Sequence, residues 1–220
     1  MRDNFTHITL LCDRTGSMNM IRTDAEGAVN RFIEDQARDD SGPCNLLLID
    51  FDDVEPQHVV FDGVIQMADP YVLRPRGNTP LNDAMGKAIV LTGERLAAMD
   101  EDMRPEHVIF VVQTDGQENA SHEYTTARII EMVTEQTDKW GWTFVFLGVG
   151  PAAWAAGSMY TGTQLVTNST RSAKTGQSYG AATAYVSEQV SNLRAGAQAS
   201  FAADVDDEGN VTKRKEDEKS

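Results

Sequence analysis

Two hydroxyl side chains follow an aspartate at alternate positions in the stretch LLCDRTGSM, residues 10–18. Asp13, Thr15 and Ser17 each offer a side-chain oxygen, and Gly16 lets the backbone turn tightly enough to aim them at one point. Carboxylate and hydroxyl oxygens are hard ligands, which suit Mg²⁺, Mn²⁺ or Ca²⁺ and suit zinc or copper poorly. The stretch therefore predicts part of a divalent-cation site.

Two later segments also carry oxygen-bearing side chains next to predicted helices or strands. Thr79 lies in RGNTPLNDA just before a predicted helix, and Asp115 follows the apolar strand VIFVVQ in the segment QTDGQENAS. Ligands of α/β sheets bind outside the carboxyl ends of the strands, so all three segments should meet at one edge of the sheet. The predicted metal ligands are Asp13, Thr15, Ser17, Thr79 and Asp115.

The first motif also has a purely structural interpretation. Taken alone, Asp13 could cap the helix that follows it, with Ser17 satisfying backbone donors. That interpretation does not explain why Thr79 and Asp115 occur at the matching places, so the metal site is the favoured hypothesis.

Other polar groups near the motifs are interpreted without a ligand role. Asp83 and Asn119 are predicted to stabilise a helix start or a loop. The acidic run DFDD (50–53) lacks the spacing of a calcium loop and is predicted to be a solvated strand end. The segment GVGPAA matches a dinucleotide fingerprint, but it follows the wrong strand for nucleotide binding.

Buried strands alternate with long amphipathic helices, which predicts an α/β fold. The buried strands are predicted at FTHITLLCD (5–13), NLLLIDFDD (45–53), HVIFVVQTDG (107–116) and WTFVFLGVG (142–150). Helices between successive strands imply a mostly parallel sheet with right-handed crossovers and helices on both faces. HVVFDGVIQM (58–67) predicts one antiparallel edge strand, and TQLVTNS (163–169) predicts a weaker strand.

Composition limits the class of protein and of partner. The 220 residues carry 34 acidic and 19 basic side chains, a net charge of -15, which argues against nucleic-acid and membrane partners. Cys12 and Cys44 lack metal-ligand spacing and are predicted to be reduced core thiols. Without a signal sequence or an apolar run of about 18 residues, we expect a cytoplasmic protein.

The composition changes near residue 203. One domain is predicted over residues 5–200, because all predicted strands and helices fall within it. Residues 203–220 are nearly all charged or small and have little to bury, which predicts a disordered tail.

The three motifs, in this order, resemble the von Willebrand factor A (vWA) domain family and its metal-ion-dependent adhesion site (MIDAS). The resemblance covers about residues 5–150 and extends more loosely to about residue 200. The family motif is usually D-x-S-x-S, and Thr15 stands here where serine is usual but keeps the hydroxyl group. Together with KWGWTFVFLG, the motifs are most similar to stand-alone cytoplasmic vWA proteins of bacteria and phages, which implies the host cytoplasm for a phage protein.

The resemblance implies a Rossmann-like vWA fold and a specific set of ligand roles. Thr15 and Ser17 would contact the ion directly, and Thr79 directly or through water. The two aspartates would act through water, or one of them would contact the ion directly. The expected ion is Mg²⁺, with Mn²⁺ or Ca²⁺ as alternatives.

The expected function is a binding module without catalytic residues, in which the ion captures an acidic residue of a protein partner. One alternative is a metal-dependent phosphoester hydrolase, for which Arg14, Arg74 and Arg76 are the nearby candidates to hold phosphate. Another is a non-catalytic subunit or adaptor of a larger assembly, either an ATP-driven chaperone partner or a phage component. The oligomeric state and the partner's identity stay open.

Overall fold

The computed structural model of the chain describes residues 2–214. Their eight strands, numbered along the chain, form a single sheet in the order β3-β2-β1-β4-β5-β6-β7-β8. The strands are β1 (Arg2–Asp13), β2 (Cys44–Phe51), β3 (His58–Val64), β4 (Pro105–Thr114), β5 (Thr143–Val149), β6 (Ser169–Ser172), β7 (Ala203–Val205) and β8 (Val211–Lys213). All neighbours pair in parallel except β3 with β2 and β8 with β7. The mostly parallel sheet is confirmed, but both of its edges are antiparallel, where one such edge was predicted.

Helices cover both faces of the sheet, as predicted. The α-helices are α1 (Arg22–Arg38), α2 (Leu81–Ala97), α3 (Thr126–Trp140), α4 (Gly150–Ser158), α5 (Gln164–Thr167) and α6 (Gly176–Arg194). Helices α1 and α6 pack with one apolar cluster on one face, and α2 and α3 pack with a second cluster on the other. Among residues 2–214, no helix combines the length and hydrophobicity that crossing a bilayer requires.

The central strands are apolar on both faces, and their parallel pairing places their carboxyl ends at a common edge. In β1, Leu10 and Cys12 face the α1 and α6 side while Leu11 faces α2 and α3, and all three are buried. Both cysteines are buried free thiols, as predicted. Cys12 pairs with Gln113 in β4, so the residues that follow each strand end next to each other.

Residues 203–220 were predicted to be a disordered tail, but the part of this segment up to Arg214 contains two strands. Strand β7 pairs with β6, and Ala203 and Val205 are buried among the core residues. Strand β8 returns beside β7. The prediction was wrong because a short strand with only two apolar residues, within a mostly charged segment, is enough to pair with an existing sheet edge. Residues 215–220 of the predicted tail lie outside the described part of the chain.

The predicted strand at 163–169 is a short helix followed by a strand. The Thr163 hydroxyl accepts a hydrogen bond from the backbone N–H of Leu165 and caps α5. Strand β6 begins only at Ser169 and pairs with β5. The local cap therefore overrides the β-branched composition of this segment.

Candidate metal centre

The five predicted ligands meet at the carboxyl edge of the sheet. Asp13 ends β1, Asp115 follows β4, and Thr79 lies in the loop before α2. The hydroxyl of Ser17 donates to Asp115 Oδ1 at 2.6 Å, and Thr15 Oγ1 lies 3.3 Å from Ser17 Oγ. Thr79 Oγ1 donates to Thr15 Oγ1 at 3.2 Å. The loops therefore bring together oxygens from three segments that are distant in the chain.

Asp13 is held at the base of this group by two short hydrogen bonds. Its Oδ1 accepts the backbone N–H of Thr15 at 2.7 Å, and its Oδ2 accepts the hydroxyl of Thr114 at 2.5 Å. A Cβ built on Gly116 would lie only 3.0 Å from Thr79 Oγ1. Glycine at this position leaves room for the Thr79 hydroxyl next to Asp13, whose Oδ2 would lie 3.7 Å from the same Cβ.

The spacing of these oxygens fits the ion that the donor set favours. Neighbouring ligands of an octahedral Mg²⁺, each about 2.1 Å from the ion, are about 3 Å apart. The contacts linking Thr79, Thr15, Ser17 and Asp115 measure 3.2, 3.3 and 2.6 Å. Carboxylate and hydroxyl donors are also those that Mg²⁺ and Mn²⁺ prefer. The residues present therefore suit a small, hard divalent cation.

Burial makes the centre favourable for a cation. Asp13, Thr15, Thr79 and Asp115 are buried, while Ser17 is exposed and opens the group to solvent. Burial raises the pKa of Asp13 to about 6, against hydrogen bonds from Thr114 and Thr15 that lower it, and the charge of Asp115 raises it further. A cation beside Asp13 would favour its charged form.

Lys174 also reaches this centre, and it was not predicted from the sequence. Its ammonium nitrogen lies 2.8 Å from Asp115 Oδ2, where the Asp115 side chain is fully buried and the lysine side chain is 31% exposed. Lys174 lies between β6 and α6, about 60 residues after Asp115, and no motif marks it. A local pattern could not have identified it.

The acidic run at 50–53 is not a solvated strand end. Asp50 and Asp52 are buried, and both form ion pairs with Arg14, at 2.9 and 2.8 Å. Arg76 binds the same Oδ2 atom of Asp52 at 2.5 Å, and Glu55 contacts both arginines. The prediction was wrong because Arg14, one residue after the first predicted ligand, turns back over the end of β2.

This group of ion pairs fixes the loop that carries Thr79. The backbone N–H of Arg76 donates to the carbonyl of Arg14, and that of Gly16 donates to the carbonyl of Gly77, at 2.9 and 3.1 Å. Gly77 has a φ of +69°, and a Cβ there would collide with the Asp53 carboxylate. The loop is therefore anchored to the first motif by backbone and side-chain contacts together.

A second set of contacts joins the Thr79 loop to the third motif. Asn119 Oδ1 accepts the backbone N–H of Thr79 at 2.9 Å, and the Asn119 N–H donates to the Thr79 carbonyl at 3.1 Å. Asp83 accepts backbone N–H groups from residues 122–124 at 2.7 to 2.9 Å. These contacts confirm the prediction that Asp83 and Asn119 stabilise the helix start and the loop.

The fold is similar to that of several solved structures. The vWF domain of the type V pili tip protein Mfa5 from Porphyromonas gingivalis has a TM-score of 0.60 and 11% identity, covering 88% of this chain and 96% of that chain. The pilus adhesin SpaC from Lactobacillus rhamnosus GG has a TM-score of 0.62 and 13% identity, covering 86% and 30%. Proximal thread matrix protein 1 from the mussel byssus, with a zinc occupied MIDAS motif, has a TM-score of 0.56 and 15% identity, covering 87% and 46%.

These likenesses establish the fold: the chain has the Rossmann-like fold of vWA domains. It spans 46% of the mussel protein and 30% of SpaC, so it matches one part of each of those longer chains. No protein-family model matches the sequence, and no curated protein matches it.

Proposed function

We propose that the chain is a divalent-metal-dependent protein-binding module. The ion would be held by Asp13, Thr15, Ser17, Thr79 and Asp115, and it would receive a carboxylate from a protein partner. One observation carries the proposal: hydroxyls and a carboxylate that are 64 and 98 positions apart in the chain lie within hydrogen-bond distance of each other.

The charge and exposure of the centre support a carboxylate as the partner's contribution. Asp13 and Asp115 supply two negative charges, and the remaining predicted ligands are neutral hydroxyls. A divalent ion bound there supplies a positively charged point with room for an outside oxygen ligand. Ser17 is exposed, and Met20, three residues after it in the same turn, is 82% exposed and would offer an apolar contact to the same partner.

The side chains around the centre do not favour the hydrolase alternative. A phosphoester needs free cationic groups to hold its oxygens. Arg14 and Arg76 are instead ion-paired with Asp52 and Glu55, and of the three arginines considered this leaves Arg74. The alternative would regain support from phosphatase turnover with Mn²⁺ that Asp115→Ala abolishes.

The stand-alone, cytoplasmic bacterial or phage type, and an adaptor role in a larger assembly, are proposals that rest on the motif resemblance. Such an adaptor would use the same contact between the ion and a partner's carboxylate. Affinity capture with and without EDTA addresses this role, since a partner retained equally in EDTA would count against recognition through the ion.

Calorimetric titration of the chain with Mg²⁺ and with Mn²⁺ tests the proposal. We expect one binding event, abolished by Asp13→Asn and by Asp115→Asn. The matched control is Asp138→Asn, which removes the same charge from an exposed position on α3. Absence of uptake by the unmodified chain, or equal uptake by the Asp13→Asn variant, would overturn it.

A further inference from the structure

The ion pair between Lys174 and Asp115 has a consequence for the proposed metal centre. From its geometry we infer that Lys174 is a built-in counter-ion, which competes with the divalent metal for Asp115 and so sets the metal affinity of the site. The inference rests on the proposed function, since it concerns the affinity of the same centre.

The two oxygens of Asp115 have different partners. Oδ1 accepts the Ser17 hydroxyl at 2.6 Å, on the side of the other predicted ligands. Oδ2 lies 2.8 Å from the ammonium nitrogen of Lys174, which approaches from the segment before α6. One carboxylate is thus shared between the predicted ligand group and a lysine from a distant part of the chain.

The structure around Lys174 accommodates its aliphatic stem. Gly150, at the start of α4, has a φ of +80°, and a Cβ there would lie 3.3 Å from Lys174 Cβ and 3.5 Å from its Cδ. The glycine therefore lets the lysine pass close to the backbone on its way to Asp115. Thr175, the next residue, caps α6 through the backbone N–H of Ser178, which fixes the point from which the side chain extends.

Competition follows from the charges. With Lys174 in place, the two buried aspartates and the lysine carry a combined charge of about −1, so the attraction for a divalent ion is weaker than two aspartates alone would give. An ion ligated near Asp115 would also lie close to the ammonium group, and like charges at that distance repel. Because the lysine is partly exposed, it can move into solvent when the ion binds, at a cost that lowers the apparent affinity.

Removal of the lysine charge is the direct test. We expect Lys174→Met to bind Mg²⁺ and Mn²⁺ about tenfold more tightly than the unmodified chain in calorimetric titrations. Lys174→Gln should do the same, and Lys174→Arg should keep the affinity within about threefold. The matched control is Lys139→Met, which removes an equal charge from an exposed i,i+4 ion pair on α3 and should leave the affinity unchanged.

A measurement without metal provides an independent readout. In EDTA, Lys174→Met should melt at a lower temperature than the unmodified chain, because the buried carboxylate has lost its counter-ion. That deficit should disappear in Asp115→Asn, where no charge needs pairing. An equal deficit from Lys174→Met with and without Asp115→Asn would overturn the pairing.

The outcomes separate this inference from the proposed function. Tighter binding by Lys174→Met and Lys174→Gln supports both, whereas unchanged or weaker binding overturns the inference alone. Binding by the variants but not by the unmodified chain supports the inference and overturns the proposal of a resident metal. Absence of binding by every variant overturns both.

Discussion

Thr15 and Ser17 contribute the same chemical group from different surroundings. Thr15 is buried and its hydroxyl contacts those of both Ser17 and Thr79, whereas Ser17 is exposed and contacts Asp115. The threonine methyl, which serine would lack, therefore lies in a packed environment. We expect the position of the hydroxyl, rather than its identity as serine or threonine, to determine whether the centre binds a cation.

Thr15→Val tests this point by replacing the hydroxyl group with a methyl group. Valine keeps the shape but removes the hydroxyl, so Mg²⁺ affinity should fall at least about tenfold, and the free energy of unfolding by about 1 kcal/mol. Calorimetry and urea denaturation measure the two effects. Thr15→Ser should retain binding, and Thr134→Val, at an exposed position on α3, should change neither quantity. Full affinity in Thr15→Val would exclude Thr15 as a ligand.

His7 links stability to pH at a place remote from the centre. Burial, helped by the charge of Arg95, lowers the pKa of His7 from 6.5 to about 4. Between these values the unfolded chain binds the proton and the folded chain does not. The contribution of neutral His7 to the free energy of unfolding is therefore fully present above about pH 6.5. As the pH falls towards 4, the free energy of unfolding decreases by about 3 kcal/mol in total.

Urea denaturation between pH 7 and pH 4 measures this effect as a difference between variants. His7→Gln should flatten the pH dependence by about that amount, since glutamine does not titrate. His122→Gln replaces an exposed histidine and should leave the curve of the unmodified chain unchanged. Parallel curves for the chain and for His7→Gln would contradict the prediction.

At the scale of whole elements, Asp52 holds the loop before α2 in its position. This buried carboxylate forms ion pairs with both Arg14 and Arg76. It also accepts hydrogen bonds from the backbone N–H groups of Val54 and Glu55 at 2.8 and 2.7 Å. It ties the end of β2 to the first motif and to the loop that carries Thr79. The positions of the predicted ligands therefore depend on a residue that is not itself a predicted ligand.

Asp52→Asn should destabilise the fold and weaken metal binding together. Removing one partner from a buried ion pair costs about 3 to 5 kcal/mol, and the freed loop would hold Thr79 less firmly. Glu55→Gln is the matched control, because Glu55 contacts the same arginines from a side chain that is 47% exposed, and it should destabilise the fold much less than Asp52→Asn. Equal losses in denaturation and calorimetry would show that burial does not distinguish the two carboxylates.

At the scale of the molecule, the sheet extends beyond the domain boundary predicted at residue 200. Strand β7 buries Ala203 and Val205, and Phe201 before it is buried in the cluster between the sheet and α6. The Thr170 hydroxyl donates to the Phe201 carbonyl at 2.7 Å, joining this segment to β6. Residues after 200 therefore complete the core on the α1 and α6 face.

Paired substitutions test whether this edge belongs to the cooperative fold. Val205→Asp places a charge in the core and should lower the free energy of unfolding by at least about 3 kcal/mol. Val211→Asp makes the same change on the adjacent strand at an exposed position and should cost less than about 0.5 kcal/mol. Similar urea midpoints for the two variants would place β7 outside the cooperative unit.

The α/β class, the four central strands and the polar residues at their ends could all be predicted from the amino-acid sequence. These features depend on residues close together in the chain, such as the apolar run before Asp13 and the helical period after Leu81. The meeting of the first and third motifs followed as well, because parallel strands end at a common edge. The position of Thr79 depends instead on the contacts that its loop makes with both of these motifs.

Which charges are paired, and where the sheet ends, became known from the three-dimensional packing alone. Lys174 beside Asp115, Arg14 over Asp50 and Asp52, and β7 against β6 all join residues far apart in the chain. A local sequence pattern identifies the charge or hydroxyl group of a residue, but not the distant residue that this group contacts in the fold. The electrostatic surroundings of the centre therefore depend on packing, even though its oxygen-bearing residues can be identified from the sequence.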